Sequence, residues 1–267
     1  MSRPMRKSQA VAGVAGAGIV AAGGVAVTAR ADRPVRAALI AAAAGVAAWA
    51  AFAPRNPLFG RVAWRGSVTG ERMAITFDDG PSESTPAILD ALGDAGARAT
   101  FFVLGRQARR FPDVIARMAR EGHQIANHGD DHGILIFRGP GHVRRQLRLC
   151  ERAVEDAAGP GAMSGLFRAP HGFRGPATWP AARAAGYRMA GWTTGVFDSA
   201  EPGVDVIVAR CNPAMRPGSV LLLHDADGWA PERSRPQTAA ALPGILALGR
   251  ERGLEMVTMD ELLGTAL

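Results

Sequence analysis

The sequence predicts an α/β fold in which a parallel sheet of about seven strands is covered by helices. From about residue 70 onward, short apolar runs alternate with helix-like segments. Glycines follow several predicted helix ends, where a left-handed cap is favoured. This alternation fills residues 67–267, a length that favours closure into a barrel, although the sequence also allows an open sheet.

Each strand is predicted from a short apolar run, and each helix from the amphipathic spacing of the segment that follows. The strand candidates are 73–77, 99–103, 124–126, 166–168, 187–190, 220–223 and 255–257. The helix candidates are 85–95, 111–121, 142–158, 176–185, 204–214 and 238–252. The capping glycines are Gly96, Gly122, Gly159, Gly186 and Gly253.

The formal charge of +7 is concentrated at the N-terminus. Residues 1–66 carry nine basic residues and one acid, whereas residues 67–267 carry 22 basic and 23 acidic residues. A nucleic-acid-binding domain needs a basic patch within its fold, and this domain is nearly neutral. Basic residues beside apolar segments are instead typical of contact with anionic headgroups. We therefore expect no nucleic-acid partner and an association with a membrane.

Two uncharged, alanine-rich runs carry the membrane prediction. Residues 10–29 can just cross a bilayer, and residues 37–53 contain the interfacial aromatics Trp49 and Phe52. A signal peptide cleaved near residues 29–31, a transmembrane hairpin and soluble helices are the three interpretations. We expect residues 1–60 to form a membrane anchor or signal region with one or two apolar helices, and residues 67–267 to form a separate domain.

The two cysteines, Cys150 and Cys211, have no metal-binding spacing. In an exported domain they could pair, and two buried free thiols are an equal alternative.

Polar clusters follow the predicted strands at the same end of each strand. They are Asp78–Asp79, Asn127–His128 with His132, Arg168–His171, Asp198 and His224–Asp225. The carboxyl ends of parallel strands meet at one mouth, where active sites of such folds are built. The sequence therefore predicts a single catalytic site assembled from several strands.

A metal site is predicted within these clusters. His128 and His132 are four residues apart, which on a helical turn places both imidazoles on one face. With Asp79 they form an Asp-His-His set that leaves positions open for water. Asp78 is then free to accept the proton of that water, which explains why two adjacent carboxylates follow one strand.

Three further residues are expected to handle protons. Arg168 is placed to keep Asp78 ionised and to orient it. His224 emerges at the mouth after an apolar strand and could protonate a leaving amine. Asp198 could pair with that imidazole and keep it charged.

Taken together, these residues resemble the polysaccharide deacetylases of the NodB-homology type, carbohydrate esterase family 4. The similarity extends from about Arg72 to Leu263. It is carried by TFDDG (76–80), ATFFVLG (99–105), HGDDH (128–132), RAPHG (168–172) and LLH (222–224).

The resemblance implies a distorted (β/α) barrel, which makes residues 67–267 the catalytic domain, and a divalent metal, zinc or cobalt with zinc favoured. It implies Asp79, His128 and His132 as ligands, Asp78 as base and His224 as acid, Arg168 and Asp198 as their partners, and Pro170, His171 and Leu222 as substrate-binding residues. The backbone N–H at His171 would contribute to the oxyanion hole, and Leu222 would contact the acetyl methyl.

The sequence departs from the family pattern at three places. Gly129 stands where a Ser or Thr is usual, and His171 where an aromatic residue is usual. In the fourth motif, usually two aspartates three apart followed by Trp, only Asp198 matches, because Gly195 and Ser199 occupy the other positions. Trp192 and Trp229 are candidates to replace the missing Trp.

The expected function is removal of N-acetyl groups from an N-acetylhexosamine-containing glycan such as peptidoglycan, at a cell membrane and outside the cytoplasm. A second hypothesis keeps the metal amidohydrolase and makes a lipid-linked amino sugar or a small amide the substrate. A third is a degenerate barrel that only binds glycans, which the complete set of ligands, base and acid disfavours.

Overall fold

The computed structural model describes residues 33–52 and 59–264. The chain divides into two units, residues 1–49 and 50–267. The run at 37–53 lies largely in helix α1, Arg33–Phe52, where Val35, Ile40 and Trp49 are exposed. The run at 10–29 lies outside the described residues. Across the two described ranges, no helix has both the length and the apolar character that crossing a membrane requires.

Eight parallel strands, most of them separated by helices, lie after residue 70, and the apolar runs predict seven of them. The strands are β1 Arg72–Asp78, β2 Thr100–Val103, β3 Gln124–Asn127, β4 Met163–Phe167, β5 Arg188–Met189, β6 Thr194–Gly195, β7 Val220–His224 and β8 Glu255–Met256. The helices after α1 are α2 Thr85–Asp94, α3 Gly105–Arg110, α4 Pro112–Arg120, α5 Pro140–Ala158, α6 Thr178–Ala184, α7 Val204–Cys211, α8 Pro236–Glu251 and α9 Met259–Leu263.

The glycines predicted to cap helices adopt the expected backbone conformation. Gly96, Gly122 and Gly186 have φ of 61°, 75° and 85°. A residue with a Cβ is strained in this region, so glycine ends these helices at little cost. Elements β6, α3 and α9 were not predicted, because two to six residues are too few to show a periodic pattern.

The strands form a half-barrel, not the closed barrel that the length of the domain favours. The strand order is β5-β4-β3-β2-β1-β7-β6, and β8 pairs with the start of β1. Within the described residues β5 and β6 do not pair with each other, and each has two residues, too short a ladder to close the sheet. The segment before β1 contacts both sides of the opening: Ala63 N–H donates to Met189 O (2.8 Å) and Gly66 N–H to Gly218 O (2.9 Å).

Both faces of the central strands are buried. Along β1, Met73, Ile75 and Phe77 pack into the large core under the helices, and Ala74 packs with Phe102 in a smaller core inside the half-barrel. This two-sided burial explains why the strands are continuous apolar runs. The register pairs Asp78 of β1 with His224 of β7, so the polar strand ends meet at one mouth.

Candidate active site

The mouth of the half-barrel contains a cavity of about 210 Å³. Its lining includes residues from every polar cluster that follows a strand except Asp198, whose neighbour Ser199 lines the cavity. These are Asp78, Asp79, His128, His132, His171, Gly172, Trp192, Ser199, Leu222, His224, Asp227, Gly228, Trp229 and Arg235. The predicted convergence of strand-end residues is therefore present.

The adjacent carboxylates of Asp78 and Asp79 have different partners. Asp78 ends β1 in regular strand geometry, whereas Asp79 has a left-handed backbone with φ of 78°. This change breaks the alternation of a strand, so both side chains enter the site. Asp78 Oδ1 accepts from Arg168 Nη1 at 2.5 Å, and Asp79 Oδ1 lies 3.0 Å from His132 Nε2.

The Asp79, His128 and His132 side chains fit a divalent cation. Their candidate ligand atoms lie within 4.8 Å of one another, and all three residues are buried. Asp79 Oδ1 forms no hydrogen bond of normal geometry, although it lies 3.3 Å from His128 Nε2. A buried carboxylate oxygen facing two imidazole nitrogens is the arrangement that a metal ion satisfies.

The protonation of these groups suits metal binding. His128 Nδ1–H donates to Arg168 O at 2.8 Å, which turns Nε2 into the site, where a bound cation would take the place of its proton. Burial raises the pKa of Asp79, but the nearby imidazoles of His128 and His132 outweigh burial and hold it well below its usual range. The carboxylate is therefore ionised and available to a cation.

The spacing of the two histidines predicted a helical turn, and the structure does not have one there. Residues 128–132 form a loop, and the positive φ values of Gly129 (88°) and His132 (62°) turn the two rings toward each other, 5.4 Å apart. Gly129 N–H donates to Asn127 Oδ1 at 2.9 Å, and Gln146 Oε1 accepts from Asp130 N–H at 2.7 Å. These two hydrogen bonds hold the loop, although Gly129 has no side-chain hydroxyl to do so. Sequence reasoning missed Gln146 because it lies on α5, far from any motif.

Arg168 is fully buried and fixes Asp78. Its guanidinium also donates to Thr76 Oγ1 (2.9 Å) and Gly191 O (2.8 Å), and it lies 3.9 Å from the Phe102 ring centroid. Burial lowers the pKa of Arg168, and the charge of Asp78 opposes this shift. Arginine remains charged even so, because its pKa starts far above the working range.

His224 and Asp198 form the pair that the sequence suggested. Asp198 Oδ1 accepts from His224 Nδ1 at 2.9 Å, and Oδ2 accepts from the His224 backbone N–H and from Thr238 Oγ1. Burial lowers the pKa of His224, but the charge and hydrogen bond of Asp198 outweigh it, with smaller contributions from Asp79 and Asp78, and raise the pKa to about 9. The ring is therefore cationic at neutral pH.

Two of the three residues predicted to bind substrate, His171 and Leu222, line the cavity. Trp192 lines it too, whereas Pro170 is buried and does not line it. His171 has a left-handed backbone with φ of 59°. Burial, with His132 nearby, lowers the pKa of His171 to about 4, so its ring is neutral. Ser199, which stands where the family pattern has a Trp, also lines the cavity.

Asp225 is a buried acid that sequence reasoning did not assign. Its Oδ2 accepts from Thr85 Oγ1 at 2.6 Å, and its backbone oxygen accepts from Ser82 Oγ. Its carboxylate lies against Gly80, where an added Cβ would approach it to 2.0 Å. Burial raises the pKa of Asp225 to about 7. The side chain holds the turn after Asp79 against the end of β7.

Comparisons with known proteins identify the family of this chain. The family profile of polysaccharide deacetylase matches residues 65–190. The chain is 36% identical over 214 residues to a chitooligosaccharide deacetylase of Bradyrhizobium sp. (strain ANU 289), covering 77% of this chain and 97% of that protein. It is 33% identical over 211 residues to a peptidoglycan-N-acetylglucosamine deacetylase of Bacillus cereus, covering 76% and 93%.

A solved structure extends the similarity to three dimensions. The crystal structure of the Bc1960 peptidoglycan N-acetylglucosamine deacetylase superposes with a TM-score of 0.71 at 30% identity, covering 77% of this chain and 94% of that one. The chain belongs to the polysaccharide deacetylase family, carbohydrate esterase family 4.

Proposed function

We propose that this protein is a metal-dependent hydrolase that removes N-acetyl groups from a glycan containing N-acetylglucosamine and releases acetate. The observation that carries the proposal is the meeting of three units in one cavity: Asp79 with its two histidines, Asp78 with Arg168, and His224 with Asp198. Relatives named as chitooligosaccharide and peptidoglycan deacetylases support this substrate class.

Asp79, His128 and His132 would hold the divalent ion, and we propose zinc, with cobalt as an alternative. Two imidazole nitrogens and one carboxylate oxygen suit zinc. A divalent ion at this position supplies Lewis-acid activation of a water molecule and of the amide carbonyl. The Arg168 carbonyl, through His128 Nδ1, fixes the ring that presents Nε2 to the ion.

Asp78 is the proposed base. Its Oδ1 is occupied by Arg168, and its Oδ2 lies 3.8 Å from His128 Nε2, beside the proposed metal position. The base accepts one proton from water as the water oxygen bonds to the acyl carbon. Because Arg168 is itself held by Thr76 and Gly191, the carboxylate has one orientation in which to accept it.

His224 is the proposed acid, and it lies on β7, the strand next to that of Asp78. Its Nδ1 is engaged by Asp198, which leaves Nε2–H to donate to the amine nitrogen as the C–N bond breaks. The balance is complete: water supplies the acyl oxygen, Asp78 receives a proton and His224 releases one to the amine. Leu222 and Trp192 would contact the acetyl methyl, and the backbone N–H at His171 would donate to the developing oxyanion.

The test is acetate release by the full chain, reconstituted with zinc, from peptidoglycan and from N-acetylglucosamine oligomers. We expect release that the variant Asp78→Asn abolishes. A folded, zinc-loaded protein that releases no acetate from either substrate would contradict the proposal.

A second candidate keeps the chemistry and makes a lipid-linked amino sugar or a small amide the substrate. It is favoured by the altered fourth motif, in which Ser199 lines the cavity where the family pattern places a Trp. It is distinguished by release of acyl groups from short or lipid-linked substrates and none from polymer.

We also propose that residues 1–60 anchor or export the chain and that residues 67–267 act outside the cytoplasm. The support is the uncharged runs between basic residues and a substrate class that lies in the cell envelope. Protease treatment of intact cells should cleave the catalytic domain. Protection of that domain until the cells are lysed would contradict this location.

A further inference from the structure

The segment 225–235, which we term the rim loop, follows β7 and has a defined internal structure. An antiparallel bridge pairs Ala226 with Ser234. Asp227 Oδ1 accepts the backbone N–H groups of Trp229 (2.9 Å) and Ala230 (3.0 Å). The second carboxylate oxygen accepts from Arg235 Nη2 at 3.0 Å, so one buried acid fixes both ends of the loop.

The rim loop is also tied to α3. Gln107 Nε2 and Arg110 Nη1 both donate to Pro231 O at 2.9 Å. Gly228 runs directly against the metal-site residue His132, where an added Cβ would lie 2.3 Å from the imidazole. These contacts on both sides leave the rim loop little freedom to move.

Trp229 is the exposed side chain that this rigid loop presents. Although 69% of its surface is exposed, it lines the cavity and stacks on His171 with ring centroids 4.7 Å apart and planes 26° apart. It also meets His132 edge-on at 5.8 Å. One face of the indole is therefore supported by a ring, and most of its surface is open to solvent at the edge of the cavity.

An exposed indole held this firmly is suited to a ligand with an apolar face. A large aromatic ring gains contact area at little entropic cost when its position is already fixed. Pyranose rings have one face of C–H groups that packs on such a ring. Phe137 is more exposed still, at 94%, but it does not line the cavity, so exposure alone does not distinguish Trp229.

We propose that Trp229, supported by His171, is a stacking platform for the sugar next to the one whose acetamide enters the cavity. The inference rests on the proposed function. A glycan chain that places one acetamide beside Asp78 must leave the 210 Å³ cavity over its rim, where the indole lies. The platform makes the protein select oligomers over the single sugar.

The test compares kcat and KM for acetate release from N-acetylglucosamine and from its tetramer. For Trp229→Ala we expect the tetramer KM to rise about tenfold, with kcat changed less than about twofold, because stacking is lost and the reacting groups are not. Trp229→Phe should recover most of the affinity. The matched control is Phe137→Ala, an exposed aromatic outside the cavity, which should keep the wild-type preference.

Binding provides a readout that does not depend on turnover. Calorimetric titration of the zinc-loaded protein with the tetramer should show affinity about tenfold weaker for Trp229→Ala than for wild type. Equal affinities, or a KM increase of the same size for the single sugar, would overturn the platform. If wild type binds the tetramer through Trp229 but releases no acetate, the proposed function fails and the platform stands.

Discussion

The floor and the rim of the cavity are built differently. The floor is Asp78, Asp79 and His128, which line the cavity, and Arg168 and Asp198 lie buried behind it. The rim is His171, Ser199 and Trp229, partly or largely exposed. Floor residues are held at strand ends by polar contacts from other strands, whereas rim residues lie in loops and short turns. The difference teaches that bond cleavage and substrate choice are carried by separate parts of the chain, which can change independently.

The largest effect is expected from losing the metal. Treatment with a chelator, or the variant Asp79→Ala, should lower acetate release by on the order of 10³-fold or more, because the Lewis acid contributes several kcal/mol. Added zinc should restore the chelated wild type and not the variant. Full activity of a chelated protein that is shown to contain no metal would mean that the floor residues catalyse the reaction without one.

The next effect is expected at the base. Asp78→Asn should lower kcat by roughly 10²- to 10⁴-fold, because an amide cannot accept the proton of water. Bound zinc, measured by atomic absorption, should stay near the wild-type ratio, because Asp78 is not a proposed ligand. The control is Asp90→Asn, an exposed acid paired with Arg117 on the helix side. An active Asp78→Asn protein would assign the base to another group.

Loss of the charge pair behind the floor should also lower the stability of the protein. Arg168→Met leaves the Asp78 carboxylate buried without its cation, which should lower the free energy of unfolding by about 3–5 kcal/mol. The matched control Arg233→Met removes an exposed arginine that pairs with Glu201, and should cost at most about 1 kcal/mol.

The double variant Arg168→Met with Asp78→Asn tests the cause. It should recover part of the lost stability, because the unpaired charge is gone. Urea denaturation of the four proteins measures the coupling. Additive losses would show that Arg168 acts through packing on Phe102 and not through the charge of Asp78.

The difference between floor and rim also explains which features the sequence predicts and which it does not. The seven apolar runs locate seven of the eight strands, and the polar residues that follow them locate the floor. Both signals depend only on residues that are close in sequence. The hydrogen bonds of Gln146 and Asp225 were not predicted, because each of these side chains is remote in sequence from the group that it holds. The half-barrel was not foreseen, because the two-residue pairings of β5 with β4 and of β6 with β7 depend on tertiary contacts.

The pH dependence of activity should show the role of His224 as the acid. Activity requires protonated His224, so it is lost as the pH rises through the pKa of His224, which Asp198 raises to about 9. Asp198→Asn removes that charge, lowers the pKa and moves the alkaline limb of kcat/KM to lower pH. The loss relative to wild type should therefore grow as the pH rises. An alkaline limb that does not move would mean that another group is the acid.

The smallest effect is expected at the rim. Ser199 is exposed at the cavity, so Ser199→Trp should change the free energy of unfolding by less than about 0.5 kcal/mol. An indole there would narrow the open acyl side and exclude a longer acyl chain. The preference for N-acetyl over N-propionyl oligomers, measured as a ratio of kcat/KM, should rise about tenfold, the usual size of one-methylene discrimination. An unchanged ratio would place the acyl wall at Trp192. A fall in kcat for both substrates would mean that the rim also positions the floor, and the separation of the two regions would fail.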